Sequence, residues 1–160
     1  MPLAYLLTGA NLGERKKQLE LATALIFERA GAKVALSAYY ESTAWGKTDQ
    51  PAFLNQAICI HTSLPPETLL HQLLLIEQQL GRVRGEKYGP RLIDIDILLY
   101  DQLHLQQQEL VIPHPELPNR RFALVPLAEI AVDYCHPVLH CTVGTLLAHC
   151  TDQGEVFKIS

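Results

Sequence analysis

Gly89-Pro90-Arg91-Leu92-Ile93-Asp94-Ile95-Asp96-Ile97-Leu98-Leu99-Tyr100 is the stretch on which the reading of the fold turns. A run of β-branched and apolar residues opened by Gly-Pro reads as a buried strand. Side chains alternate across a strand, which puts Ile93, Ile95, Ile97 and Leu99 on one face and Asp94, Asp96, Leu98 and Tyr100 on the other. The second face begins acidic and ends apolar, as expected where only the start of a strand lines a cleft. Carboxylates two residues apart on one face lie roughly 6–7 Å from each other. At an effective dielectric of about 20 their repulsion costs on the order of 2–3 kcal/mol. A cation between them removes that cost, and magnesium, completed by phosphate oxygens and water, is suited to the place. Taken alone, an Asp-x-Asp pair more often marks a solvated strand face or an arginine-paired surface.

The approach to this strand changes the balance. Arg82, Arg84, Lys87 and Arg91 are interleaved there with Gly81, Gly85 and Gly89. An acidic pair beside a glycine- and arginine-rich loop has the composition of a magnesium–polyphosphate site. Together with Lys47, Arg120 and Arg121, these cations make up seven of the chain's 13 Lys and Arg, so positive charge is concentrated rather than spread. The net charge is −4, which argues against general nucleic-acid binding.

With 160 residues, 48% of them hydrophobic, the chain can bury one core and is too apolar for disorder. No apolar run reaches membrane-spanning length, and Met1-Pro2 is followed by no charged leader region. The expectation is a cytoplasmic protein without membrane or nucleic-acid partners. Cys59, Cys135, Cys141 and Cys150 lack the close pairing of a zinc knuckle. Cys135-His136, His140-Cys141 and His149-Cys150 match no familiar zinc spacing, and read as buried or incidental thiols and surface histidines.

The remaining elements follow from punctuation and period. Pro2–Thr8 reads as a first strand, Gly9-Ala10-Asn11-Leu12-Gly13 as a turn, and Glu14–Arg29 as a helix with a stripe of Leu19, Ala22, Leu25 and Ile26. A second strand is expected over Val34–Tyr40, then a long loop from Glu41 to Pro51, then a third strand over Phe53–His61. In that third strand Phe53 and Asn55 share one face, and Leu54, Ile58 and Ile60 share the other. A helix follows from Glu67 to Leu80, ended by Gly81. Beyond Tyr100 come a polar turn, a short strand at Leu110-Val111-Ile112, and short helices at Phe122–Ile130 and Thr142–His149, the latter capped by Thr142. Strand–helix–strand–strand–helix–strand over the first hundred residues is the order of an α+β, ferredoxin-like βαββαβ core with additional short C-terminal helices and strands. One domain spanning residues 1–160 is expected.

With these pieces in order the sequence resembles the 6-hydroxymethyl-7,8-dihydropterin pyrophosphokinase family. The resemblance runs from Tyr5-Leu6-Leu7-Thr8-Gly9-Ala10-Asn11-Leu12-Gly13 to Val125-Pro126-Leu127-Ala128-Glu129-Ile130. Its most specific pieces are Asp49-Gln50-Pro51-Ala52-Phe53-Leu54-Asn55-Gln56-Ala57, Gly81-Arg82-Val83-Arg84, the Tyr88–Leu98 stretch, Val111-Ile112-Pro113-His114-Pro115 and Asn119-Arg120-Arg121-Phe122. It implies transfer of pyrophosphate from ATP, the co-substrate, to the hydroxymethyl group of a reduced pterin, with release of AMP.

The site residues it implies are these. Asp94 and Asp96 would hold two Mg2+ ions, with Arg82 and Arg91 joining them in catalysis. Glu77, Arg82, Arg84, Tyr88, Arg91, Ile97, His114 and Arg120 would contact ATP. Ser42, Thr43, Trp45, Phe53, Asn55 and Phe122 would form the pterin pocket, with Phe53 and Phe122 stacked on the two ring faces and the Asn55 amide on the ring edge. Tyr88 stands where the family usually has Trp, and Lys87 where Arg is frequent. Glu109 and Val111 occupy places where some members carry Arg and Thr. The partners implied are small molecules, acting on a monomer. A metal-dependent phosphohydrolase using the same two aspartates, and a non-catalytic ferredoxin-like binding module, are the alternatives from other classes.

Overall fold

The computed structural model describes residues 1–42, 52–81 and 93–159. The elements in chain order are β1 (Leu3–Ala10), α1 (Arg15–Arg29), β2 (Ala32–Leu36), β3 (Tyr40–Ser42), β4 (Phe53–His61), α2 (Pro66–Gln79), β5 (Asp94–Tyr100), β6 (Leu105–Gln106) and β7 (Val111–Ile112). They continue through a 3-10 turn at Leu117–Asn119 to α3 (Arg121–Ala131), α4 (Val143–His149) and β8 (Val156–Lys158). Among the described residues one antiparallel sheet runs β5-β1-β4-β3-β8, with β2 alongside β3 on the same edge of β4.

Apolar periodicity assigns each face of this sheet to a different pair of helices. Leu19, Ala22 and Ile26 of α1 and Leu69, Leu73 and Ile76 of α2 bury against Leu6, Leu54, Ile58, Ile60, Ile95 and Ile97. On the other face Ala123, Leu124 and Leu127 of α3 and Val143 and Leu146 of α4 bury against Tyr5, Leu7, Cys59, Leu98 and Leu99. The α4 cap is as expected: the Thr142 side chain accepts the Thr145 N–H. Gly81, with φ 93°, ends α2 in the left-handed region where a side chain would be strained.

The structure corrects the sequence reading at four places. The second strand is two, because at Ser37 the ladder changes partners: its N–H still bonds the Ala57 carbonyl, but the Ala57 N–H goes to the Ser37 hydroxyl, which in turn bonds the Ala38 carbonyl. The chain therefore meets β4 twice, as β2 beside Lys33–Leu36's partners at Ile58–Ile60 and as β3 opposite Phe53–Asn55. Second, Gly9 and Ala10 are strand residues rather than turn residues, pairing with Asn55 and Leu54. Third, the alternation of β5 breaks. The register of β1 and β5 shifts between Tyr5 and Leu6, which pair with Leu99 and Ile97. Leu98 is the extra residue of a bulge, so Leu99 joins Leu98 on the α3 face and Tyr100 turns to the α1–α2 face. Fourth, β8 was not anticipated; it closes the sheet against β3, with Glu41 opposite Phe157.

Candidate active site

The site is built along one row across the sheet. Asp94 of β5 registers with Gly9 of β1, Gly9 with Asn55 of β4, and Asn55 with Tyr40 of β3. Two residues further along β5, Asp96 registers with Leu7, whose side chain packs under α3. Both aspartates therefore stand on the α3 face, and both are half-buried, as period-two alternation requires upstream of the bulge.

The strand that carries them is pinned from its outer side. Strand β5 lies at the edge of the sheet, and the Glu77 carboxylate of α2 accepts the Ile95 N–H at 2.6 Å. Glu77 is only 2% exposed, so it is fixed between strand and helix. Ile97 lies among the core residues of the α1–α2 face, so its side chain points away from the aspartates.

His114 follows β7 and closes the acidic end. Its backbone N–H bonds the Leu98 carbonyl, which ties it to the bulge of β5. Burial and the Arg120 guanidinium push its pKa from 6.5 down to about 4, against the opposing pull of Glu116 and Asp94. The ring is neutral at pH 7. Its Nδ1 accepts the Glu116 N–H at 3.2 Å, which leaves the proton on Nε2, an uncharged donor. Arg120 in turn lies over the Phe122 ring, 5.7 Å from its centroid.

At the aromatic end Asn55 is almost fully buried. Its Nδ2 donates to the Thr8 carbonyl at 3.1 Å, and its Oδ1 accepts from the Ser42 hydroxyl at 3.4 Å. Among the described residues one N–H and one oxygen lone pair of the amide remain, the donor–acceptor pair that an amide-like ring edge presents in mirror image. Glycine is required at position 9 because a Cβ there would stand 2.5 Å from Asn55 Nδ2 and 3.7 Å from Phe53 Cδ1. Phe53 and Ser42 face each other as the last pair of β3 and β4. Phe122, at the start of α3, packs against the core of that face while staying half-exposed.

Two features of this region carry no sequence signal. Glu129 of α3 accepts the Tyr40 hydroxyl at 2.5 Å and the Ala38 N–H at 3.2 Å, and burial with this bond pushes the Tyr40 pKa up to about 12. Arg15 binds Glu41 and the Ala52 carbonyl. In both cases the partners are far apart in the chain, so no local pattern marks them. Thr43, Trp45, Arg82, Arg84, Tyr88 and Arg91 lie outside the described residues.

The family model of 7,8-dihydro-6-hydroxymethylpterin-pyrophosphokinase matches residues 5–132. The chain belongs to this pyrophosphokinase family. A pyrophosphokinase of Methylorubrum extorquens named for the same pterin is 46% identical over 134 residues, covering 83% of this chain and 85% of the relative. A folic acid synthesis protein of Pneumocystis carinii is 38% identical over 149 residues, covering 93% of this chain and 20% of that protein. Among solved structures, a Plasmodium falciparum HPPK-DHPS chain superposes with a TM-score of 0.76 at 18% identity, over 92% of this chain and 45% of the other. That likeness speaks for the fold, and this chain spans less than half of that solved protein.

Membership in the pyrophosphokinase family makes this an enzyme of folate synthesis that moves pyrophosphate onto hydroxymethyldihydropterin. Its ferredoxin-like α+β fold is the one expected from the element order. Among the described residues no helix is long and apolar enough to cross a membrane. No group of three or more His, Cys, Asp and Glu stands together among them as a metal cage, the Cys135–Cys150 segment included.

Proposed function

We propose that the pyrophosphokinase uses ATP as donor and that the row from Asp94 to Asn55 aligns the two substrates. The carrying observation is that row: a carboxylate pair at one end and a buried amide beside the half-exposed Phe53 at the other, on the sheet face that α3 covers. Asn55 would read the amide-like edge of the pterin, with Phe53 and Phe122 against the ring faces and Ser42 beside them. The hydroxymethyl group then points along the row toward Asp94 and Asp96.

Two carboxylates and no soft or imidazole donor between them form a hard oxygen set that fits magnesium, with the remaining positions left to phosphate and water. Asp94 and Asp96 would hold two ions, whose charge lowers the pKa of the hydroxyl and screens the triphosphate. The hydroxymethyl oxygen attacks the β-phosphorus of ATP, the bond from that phosphorus to the bridging α-oxygen breaks, and AMP leaves while the hydroxyl proton passes to water. His114 Nε2–H and the Arg120 guanidinium offer donors to phosphate oxygens at the acidic end, and Arg82, Arg84 and Arg91 would meet the charge spreading over the transferred group. Tyr88, Glu77 and the Ile97 backbone complete the assigned nucleotide side, and Thr43 and Trp45 the pterin side. One domain over residues 1–160, acting as a cytoplasmic monomer on small molecules, is part of the same reading.

The test is product identity. Incubation with ATP, magnesium and 6-hydroxymethyl-7,8-dihydropterin should give AMP and the pterin diphosphate in equal amounts. Release of AMP or phosphate without pterin would instead identify a phosphohydrolase.

A further inference from the structure

We propose that Arg15 is a positioning residue of the pterin site, holding the Ser42–Phe53 strand pair in place from the face opposite the substrate. This inference rests on the assignment of Ser42, Phe53 and Asn55 to the pterin.

Arg15 opens α1, and its guanidinium reaches two strands at once. Nη2 donates to Glu41 Oε2 at 2.7 Å and Nη1 donates to the Ala52 carbonyl at 2.9 Å. Glu41 immediately precedes Ser42, and Ala52 immediately precedes Phe53. Ser42 and Phe53 are register partners, the last pair of the β3–β4 ladder among the described residues. The fork of the guanidinium ties the residues just before Ser42 and Phe53 to one another.

The direction of approach shows that Arg15 acts through these residues and not on the pterin. Glu41 registers with Leu54, which is buried among the α1–α2 core. Alternation then puts Glu41 on the α1 face and Ser42 on the α3 face, with the sheet between Arg15 and the ring. The first turn of α1 carries no acidic residue, and a cation there opposes the helix dipole. The charge of Arg15 does not favour α1, whereas the strand end gains two charge-assisted bonds. A planar fork can satisfy both partners simultaneously; an ammonium at the same place is a single point charge.

Steady-state kinetics of Arg15→Ala, Arg15→Lys and Glu41→Gln, with Phe122→Ala as reference, test this. Arg15→Ala should raise KM for 6-hydroxymethyl-7,8-dihydropterin by about tenfold, the scale of one lost charge-assisted bond, with KM for ATP unchanged. Arg15→Lys should recover part of that loss, and Glu41→Gln should fall between wild type and Arg15→Ala. A pterin KM in Arg15→Ala equal to wild type, or an equal rise for ATP and pterin, overturns the proposal. If Arg15→Ala does not fold, Glu41→Gln decides by the same criterion. Phe122→Ala separates the two levels: if it also leaves the pterin KM unchanged, the pterin-site assignment has failed, and if it raises KM while Arg15→Ala does not, Arg15 alone has.

Discussion

Glu77 and Ile95 are joined by a 2.6 Å bond from the Ile95 amide to the Glu77 carboxylate, at the one residue of β5 that separates Asp94 from Asp96. Because β5 is an edge strand, this helix-borne carboxylate takes the place of a neighbouring strand. Glu77→Ala should lower stability by about 1–3 kcal/mol, the cost of a buried donor without its partner. It should also raise the magnesium concentration needed for half-maximal activity, since the strand carrying both aspartates loses its pin. Urea denaturation and a magnesium titration of activity check this. An unchanged magnesium dependence would place Glu77 on the nucleotide alone.

Asp96→Ala should nearly abolish turnover while leaving the protein folded. Two like charges on one half-buried strand face are useful only with a cation between them. Activity at saturating magnesium, read beside a thermal melt, decides; near-normal turnover would end the assignment of the metal pair.

Gly9→Ala tests the tight stacking of β1 under Asn55. The new methyl would meet Asn55 Nδ2 at 2.5 Å and displace the amide from the Thr8 carbonyl. Overpacking of this kind costs about 1–3 kcal/mol. The loss should appear in pterin binding, measured by calorimetry, with ATP binding little changed. Equal losses for both ligands would show that Asn55 does not read the pterin.

His114 fixes a pH dependence whose sign follows from its neutral folded state. Its pKa falls from 6.5 to about 4 on folding. Between those values the unfolded chain binds a proton that the folded chain does not, so stability is lost as pH drops through that window and is constant above it. The loss is on the order of 3 kcal/mol. His136, whose pKa is also lowered by burial, adds in the same direction and is common to wild type and variant. In magnesium-free buffer, His114→Asn should therefore show a shallower decline than wild type between pH 6.5 and 4. Parallel curves would mean that His114 is protonated in the folded protein.

Much of this was legible because the decisive patterns are local. The periods of α1 and α2, the Phe53–His61 alternation and the acidic pair on β5 are each written within one element. What escaped was set by partners distant in the chain. Ser37 breaks a strand because Ala57 and Gln56 offer it bonds. Leu99 changes face because β1 and β5 slip by one residue. Gly9 reads as a turn glycine but is demanded by a side chain on the neighbouring strand. Glu77 shows no sign, as sequence, of its bond to Ile95. The side-chain bonds of Arg15 and Glu129 likewise join residues distant in the chain, and no local pattern marks them.

The row from Asp94 through Gly9 to Asn55 makes the sheet a ruler. Its two steps are inter-strand spacings, about 9–10 Å in total, and backbone hydrogen bonding fixes that length more firmly than any side chain could. A ligand anchored at Asn55 reaches the aspartates only if it is long enough to span those two steps. A single-ring analogue carrying the same amide edge and the same hydroxymethyl group would be recognised at one end and fall short at the other. Under the proposed assignment of Asn55 to the pterin and the aspartates to the metal, substrate size is selected by strand pairing, and lengthening or shortening the accepted molecule would require a different order of strands rather than a different lining.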